Sequence, residues 1–251
     1  MGVSRSDQRR RMVLGALGAV VAGLAGCGAR GIVRPELAGG AQASLRRVLV
    51  VPADFVITEV TFGKTEERVV AAERRAAQVL AHQVKELGDR DASFDVVRFE
   101  ALEADERDRV LQHRALFATM VSQMLQVKQG AVDVWADKAR YFDYTLGRGL
   151  SELARERQID TAIFIVGKDK VRSLSRKVLD TINAVLPLGE PLSSQPAAVV
   201  IGVVDLRSGD VLMFDSDTAT RKSLTNEDDV RVLGETVLSD FRRAVKARRG
   251  S

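Results

Sequence analysis

The chain of 251 residues carries a single cysteine, Cys27, two histidines and one tryptophan, and only 5% of its residues are aromatic. One cysteine excludes a disulfide framework, thiolate zinc sites and cysteine-held clusters. The histidines, His82 and His113, fall on the polar sides of expected helices. Neither has a second metal-ligating residue at a spacing that suggests a site, so no metal site is expected. No Gly-x-Ser-x-Gly elbow is present, and no glycine-rich loop followed by Lys-Ser/Thr. Gly147-Arg148-Gly149 lacks the third glycine and preceding strand of a dinucleotide fingerprint. No cofactor is expected. The chain also lacks an apolar run of roughly 20 residues, the length a spanning helix needs.

An excess of one charge is missing as well. The sequence pI is near 9.4, which suggests a nucleic-acid binder. The first 26 residues, however, hold four arginines and one aspartate, or +3 of the formal +4. The rest has 34 Lys+Arg against 33 Asp+Glu, well mixed. Mixed charge is a solvated surface, and no nucleic-acid partner is expected.

The most informative stretch is Met12 to Cys27, MVLGALGAVVAGLAGC. Arg5, Arg9, Arg10 and Arg11 precede it. A basic start, a short apolar run and small residues at its end make a secretory signal peptide. Leu24-Ala25-Gly26-Cys27 resembles the lipobox of bacterial lipoproteins at every position. The resemblance implies cleavage between Gly26 and Cys27, a diacylglycerol thioether on Cys27, and acylation of its new amino group. Each buried CH2 contributes about 0.8 kcal/mol, so several acyl chains hold where one does not. Membership also implies retention signals: Gly28, not Asp, follows the cysteine. That implies the periplasmic face of the outer membrane, with the inner membrane as the alternative. Arg9-Arg10 is a loose match to a twin-arginine signal, and a plain basic leader is the favoured reading.

Residues 27–45 are rich in Gly and Ala and read as a flexible tether. From 46 to 251 a single α/β domain is expected. Arg46–Val51 reads as a buried strand that stops at Pro52, and Phe55–Phe62 as a second strand or irregular edge. Thr65–Leu87 has helical spacing, with Gly88 as its stop. Phe94–Phe99 is a short strand, and Ala104–Val127 a helix with Val110, Phe117, Met120, Val121, Met124 and Leu125 on one face.

Gly130–Gly149 gathers the only Trp and both Tyr: Trp135, Tyr141 and Tyr144, with Phe142 between. Two readings are open: an aromatic cluster that packs helices, or a partner-contact patch, since Trp and Tyr favour interfaces. Leu150–Arg157 is a helix and Thr161–Gly167 a strand buried on both faces. Val171–Leu186 has helical spacing. The stretches near 130–150 and 170–195 read as helical insertions. Ala197–Asp205 and Asp210–Asp215 form a hairpin across Leu206-Arg207-Ser208-Gly209. Thr225-Asn226-Glu227-Asp228 has capping-box spacing before a long helix with Val230, Leu233, Val237, Leu238, Phe241 and Val245 on one face. The fold class is α/β, a mixed sheet flanked by helices, with a C-terminal β-hairpin followed by a long helix.

In this order the elements resemble a lipoprotein superfamily that includes the curli secretion-channel lipoprotein CsgG, the TolB N-terminal domain and LpoB. The match is carried by the strand Arg47–Pro52 with its following helix, by Thr161–Gly167, and by Val203-Val204-Asp205-Leu206-Arg207-Ser208-Gly209-Asp210-Val211-Leu212. The resemblance implies a non-catalytic protein that binds or assembles with an envelope partner. An oligomeric secretion or channel-associated subunit is the alternative, although no long alternating strands suited to a pore are present. A third reading is a cell-wall hydrolase acting through the hairpin carboxylates Asp205, Asp210, Asp215 and Asp217.

Overall fold

A computed structural model describes residues 31–38, 45–61, 65–91, 94–130, 138, 141–172 and 196–247. Cys27, Gly26 and Trp135 lie outside them, as do residues 173–195, where most of the expected second helical insertion falls.

Eight strands form one mixed sheet. They are β1 (Ile32–Val33), β2 (Arg47–Val50), β3 (Asp54–Val60), β4 (Glu66–Arg68), β5 (Asp95–Arg98), β6 (Thr161–Arg172), β7 (Ala197–Asp205) and β8 (Val211–Ala219). The order is β1-β8-β7-β6-β2-β5, with β3 also paired to β6 and β4 to β3. β2 is parallel to β5 and to β6, and β3 is parallel to β6; the pairs β6–β7, β7–β8, β8–β1 and β3–β4 are antiparallel. The expected mixed sheet, hairpin and terminal helix are all present.

β6 runs for 12 residues because two strands lie end to end along one of its edges. Val48 faces Thr161 in β2, and Asp54 faces Val166 in β3, so the register slips by one residue between them. Pro52 sits at the slip. It has no N–H to offer the ladder, which breaks one line of backbone into two strands. Its carbonyl accepts from Arg114 Nη1 at 3.0 Å. β3 is therefore not an irregular edge. It is paired on both sides.

Helices cover both faces. On one face lie α1 (Pro35–Ala38), α2 (Val70–Asp91) and, after the hairpin, α5 (Glu227–Ala247); on the other lie α3 (Ala104–Lys128) and α4 (Ser151–Arg157). α2 buries Ala72, Ala76, Leu80, Val84 and Leu87, and α5 buries Val230, Leu233, Val237, Leu238, Phe241, Ala244 and Val245. Both stripes have the 3.6-residue period that turns one side of a helix to a sheet. α3 buries Val110, Phe117 and Met124, seven residues apart, and Phe117 stacks on Phe164 of β6 with ring centroids 5.6 Å apart. Among the described residues no helix is long and apolar enough to cross a membrane.

Four local expectations change. The expected helix at Thr65 starts five residues later, because Glu66–Arg68 pairs with β3 instead. Gly88 does not stop α2. The helix passes through it, and an added Cβ there would meet the Phe94 ring at 2.9 Å, so the glycine makes room for an aromatic. Val171 belongs to β6, not to a helix. The cap of α5 is Asn226, whose Oδ1 accepts from the amides of Asp228 and Asp229 at 2.9 and 3.2 Å, one residue beyond the expected Thr225.

The stretch read as a tether also holds structure. Ile32 and Val33 pair with Phe214 and Met213 of β8, and Leu37 of α1 is fully buried. Two residues are too few to show a period, so their place in the sheet comes from the partner strand, not from their own pattern.

Candidate binding surface

Of the four aromatic residues read either as a packing cluster or as a partner patch, three are described. Phe142 and Tyr144 are buried and Tyr141 is 58% exposed. The partner-contact reading therefore fails for Phe142 and Tyr144. The Phe142 ring lies 5.1 Å from Tyr144 and 6.0 Å from Phe214, inside the core. The backbone explains the inward turn: the Val211 amide donates to the Tyr144 carbonyl at 2.9 Å and the Leu146 amide to the Gly209 carbonyl at 2.8 Å. Residues 142–146 thus run as an extended strap against the turn end of the hairpin, not as a helical insertion. Phe142 has φ 46°, a left-handed turn that puts its ring inward. Gly209, φ 83°, lets this strap dock: an added Cβ would lie 2.0 Å from the Gly147 carbonyl oxygen. Lys138 pairs with Asp143 at 2.8 Å and sits 5.1 Å from the Tyr144 ring centroid. The Lys138 hydrogen bond holds the Asp143 carboxyl below its usual range, and burial pushes the Tyr144 phenol up.

The hairpin carboxylates are dispersed over separate jobs. Asp205 Oδ1 accepts from the amides of Arg207 and Ser208 at 2.8 and 2.9 Å and forms the turn. Asp215 is buried against Lys128, 2.6 Å from Nζ. Asp217 accepts from the Thr218 amide at 2.9 Å. The Asp210 backbone closes the turn by accepting from the Asp205 amide at 2.9 Å. Two carboxylates poised on one substrate bond, as a glycosidase requires, do not emerge from these partners.

Other buried carboxylates went unnoticed in the sequence, because a lone Asp or Glu carries no period. Asp160 Oδ2 accepts from the amides of Arg46 and Arg47, both at 3.1 Å, and Oδ1 pairs with Arg207 at 3.3 Å. Asp169 Oδ2 accepts from Ser223 Oγ at 2.8 Å and from the Leu224 amide at 2.7 Å. Glu73 accepts from the Ile57 amide at 3.1 Å and pairs with Arg68 at 2.8 Å. Glu106 takes two Arg157 hydrogen bonds at 2.9 Å and the Glu103 amide at 2.7 Å. Arg157 holds its carboxyl below the usual range. Each of these side chains joins segments distant in sequence or closes a helix end, and their oxygens are engaged in doing so. Among the described residues no group of three or more His, Cys, Asp or Glu is placed to hold a metal ion.

A groove of about 490 Å³ lies between α2 and α5, lined by Arg75, His82, Glu86, Arg231, Glu235 and Arg242 among others. Gly234 brings the helices close. An added Cβ would sit 2.0 Å from Gln83 Oε1 and 2.3 Å from Leu80 Cδ2. Gln83 Nε2 ties the groove floor by donating to the Arg231 carbonyl at 2.9 Å. His82 faces Glu86 at 3.2 Å, and Glu86 also pairs with Arg90 at 3.2 Å. His113 on the other face places Nδ1 2.8 Å from the Arg109 carbonyl. Charges of both signs on a shallow floor suit recognition of another polar surface more than enclosure of a small apolar ligand.

No family model and no curated protein matches the chain. Among solved structures it is similar to a PelC dodecamer from Paraburkholderia phytofirmans, at 13% identity and a TM-score of 0.33, over 84% of this chain and 95% of that one. It is similar to the lipoprotein GNA1162 from Neisseria meningitidis, at 14% identity and a TM-score of 0.31, over 78% and 97%. It is also similar to the LpoB C-terminal domain from Salmonella enterica, at 9% identity and a TM-score of 0.27, over 74% and 90%. These are loose likenesses. One of these proteins, GNA1162, is a lipoprotein.

Proposed function

We propose that this protein is a lipid-anchored, non-catalytic binding or assembly lipoprotein of the bacterial envelope, held at the periplasmic face of the outer membrane through Cys27. One observation carries the reading: Leu24-Ala25-Gly26-Cys27 closes an uncharged run behind four arginines, and Cys27 is the only cysteine in the chain. The buried carboxylates support the second half of the reading, since they are spent on fixing loops and helix ends. The mixed-charge groove between α2 and α5 is the surface offered to another envelope protein.

Growth with an alkyne-bearing palmitate tests the anchor. The label should enter the wild type and be absent from Cys27→Ser; equal labelling of both would refute it. A photoreactive residue at His82 in the groove, with one at Leu116 on the opposite face, tests the partner surface in cells. A discrete crosslinked envelope protein is expected from His82 and not from Leu116. The same products from both positions would remove the groove from the account.

A further inference from the structure

The described fold begins at Gly31, and Gly31 is already fixed. Its amide donates to Asp240 Oδ2 at 2.5 Å, and the next two residues pair with β8. No side chain fits there: an added Cβ would lie 2.7 Å from Asp240 Oδ2 and 2.8 Å from Asp215 Cγ. Asp240 stands in the last third of α5, so the chain enters the fold beside the C-terminal end of that helix. Only Gly28, Ala29 and Arg30 separate Gly31 from Cys27. Fully extended at roughly 3.5 Å per residue, four steps span at most about 14 Å. A lipid on Cys27 therefore keeps this end of α5 close to the bilayer.

That end is basic. Arg242, Arg243 and Lys246 are exposed, while three of the five acidic residues of α5, Glu227, Asp228 and Asp229, stand in its first turn. At 1.5 Å per residue the two ends are about 30 Å apart. Carboxylates near the basic end are engaged: Asp240 takes the Gly31 amide and Arg243, and Glu86, which lines the groove together with Arg242, pairs with Arg90 and His82. Arg242 and Lys246 have no hydrogen-bond or ion-pair partner among the described residues, and both remain available to an external anion.

We propose that the C-terminal end of α5, through Arg242 and Lys246, docks on anionic phospholipid headgroups. The proposal rests on the lipid-anchor reading and adds an orientation to it. Acyl chains supply the hydrophobic hold, and the cations supply a second, charge-dependent signal that sets which side of the domain meets the membrane. The groove between α2 and α5 would then have one end at the bilayer and its Glu227 end pointing away. Cations at a helix C-terminus also favour the helix dipole, but that role is indifferent to lipid.

Full-length protein extracted from membranes, its Cys27 modification checked by intact mass, is placed in three environments: neutral detergent, phosphatidylcholine vesicles, and vesicles of phosphatidylethanolamine with phosphatidylglycerol. Acetylation of individual lysines is then followed by mass spectrometry. Lys246 is expected to react about fivefold more slowly in the anionic vesicles than in detergent, with the protection largely lost in high salt. Lys222, at the far end of α5, should keep its rate. Arg242→Ser should shrink the protection of Lys246 and leave the far-ultraviolet circular dichroism unchanged. If acylated protein shows Lys246 equally reactive in all three environments, or equally protected in neutral and anionic vesicles, the headgroup surface is overturned while the anchor stands. An unmodified Cys27 removes the link to the bilayer and overturns both.

Discussion

The two faces of the sheet are covered in different ways. On one, α2 and α5 lay regular apolar stripes against β6, β7 and β8, and their meeting line is set by Gly234. On the other, α3 touches the sheet through few deeply buried residues, and the rest is closed by the strap at residues 142–146 and the short α4. The first face is repetitive and the second is improvised. The difference teaches where sequence patterns are a sufficient guide and where a single side chain decides the structure.

If both faces belong to one cooperative unit, removing a large ring from either should cost about as much. Phe241 on the α5 face and Phe117 on the α3 face are both fully buried. Phe241→Ala and Phe117→Ala should each lower unfolding stability in urea by about 3–5 kcal/mol, with one transition in both variants. A Phe117→Ala loss below about 1 kcal/mol would break the comparison and mark α3 as loosely attached.

The buried pair Lys128–Asp215 joins the end of α3 to β8 across this divide. Lys128→Met should cost about 3–5 kcal/mol because it strands a buried carboxylate. Changing both partners, with Asp215→Leu added, should recover most of that loss, as a double-mutant comparison will show.

A glycine on each face sharpens the contrast further. An added Cβ at Gly202 would meet Phe117 Cε2 at 2.3 Å, and at Gly234 it would meet the far end of Gln83 at 2.0 Å. A rigid ring yields less than a flexible amide, and Ala gains about 1 kcal/mol of helix propensity over Gly at 234. Gly202→Ala should therefore lower stability by about 1–3 kcal/mol, and Gly234→Ala by less. Thermal unfolding of the two variants orders them.

The pattern that made α2, α5, Thr161–Gly167 and the hairpin legible is burial repeated at a fixed period. What escaped has no period. Ile32 and Val33 are strand only because β8 offers an edge and Asp240 holds the Gly31 amide. Glu66–Arg68 lies within the helical pattern but is claimed by β3. For Phe142 and Tyr144 the choice between packing cluster and partner patch stays open in the sequence, because the strap that carries them docks on Gly209, more than 60 residues away. The staples Asp160, Asp169 and Glu73 are isolated carboxylates whose partners are backbone amides, which every residue has. The lipobox pattern that ends at Cys27 is local and compositional, so it is read from the sequence alone.

The smallest effect concerns pH. Arg157 lowers the pKa of Glu106 in the folded state, so this pair stabilises the fold above the unfolded carboxyl's range and is lost as pH falls through the folded value. Stability should drop on acidification below about pH 4.5. Glu106→Gln should flatten part of that slope in urea unfolding measured from pH 6 to 3. An unchanged slope would assign the acid sensitivity to the other carboxylates.

The account turns on a lipid at residue 27 and a short link from it to the sheet. Intact mass of protein extracted from membranes tests this most directly. The prediction is a chain that begins at Cys27 and carries the added mass of a diacylglycerol thioether and an N-acyl group. A chain that retains residues 1–26 with an unmodified Cys27 would contradict it.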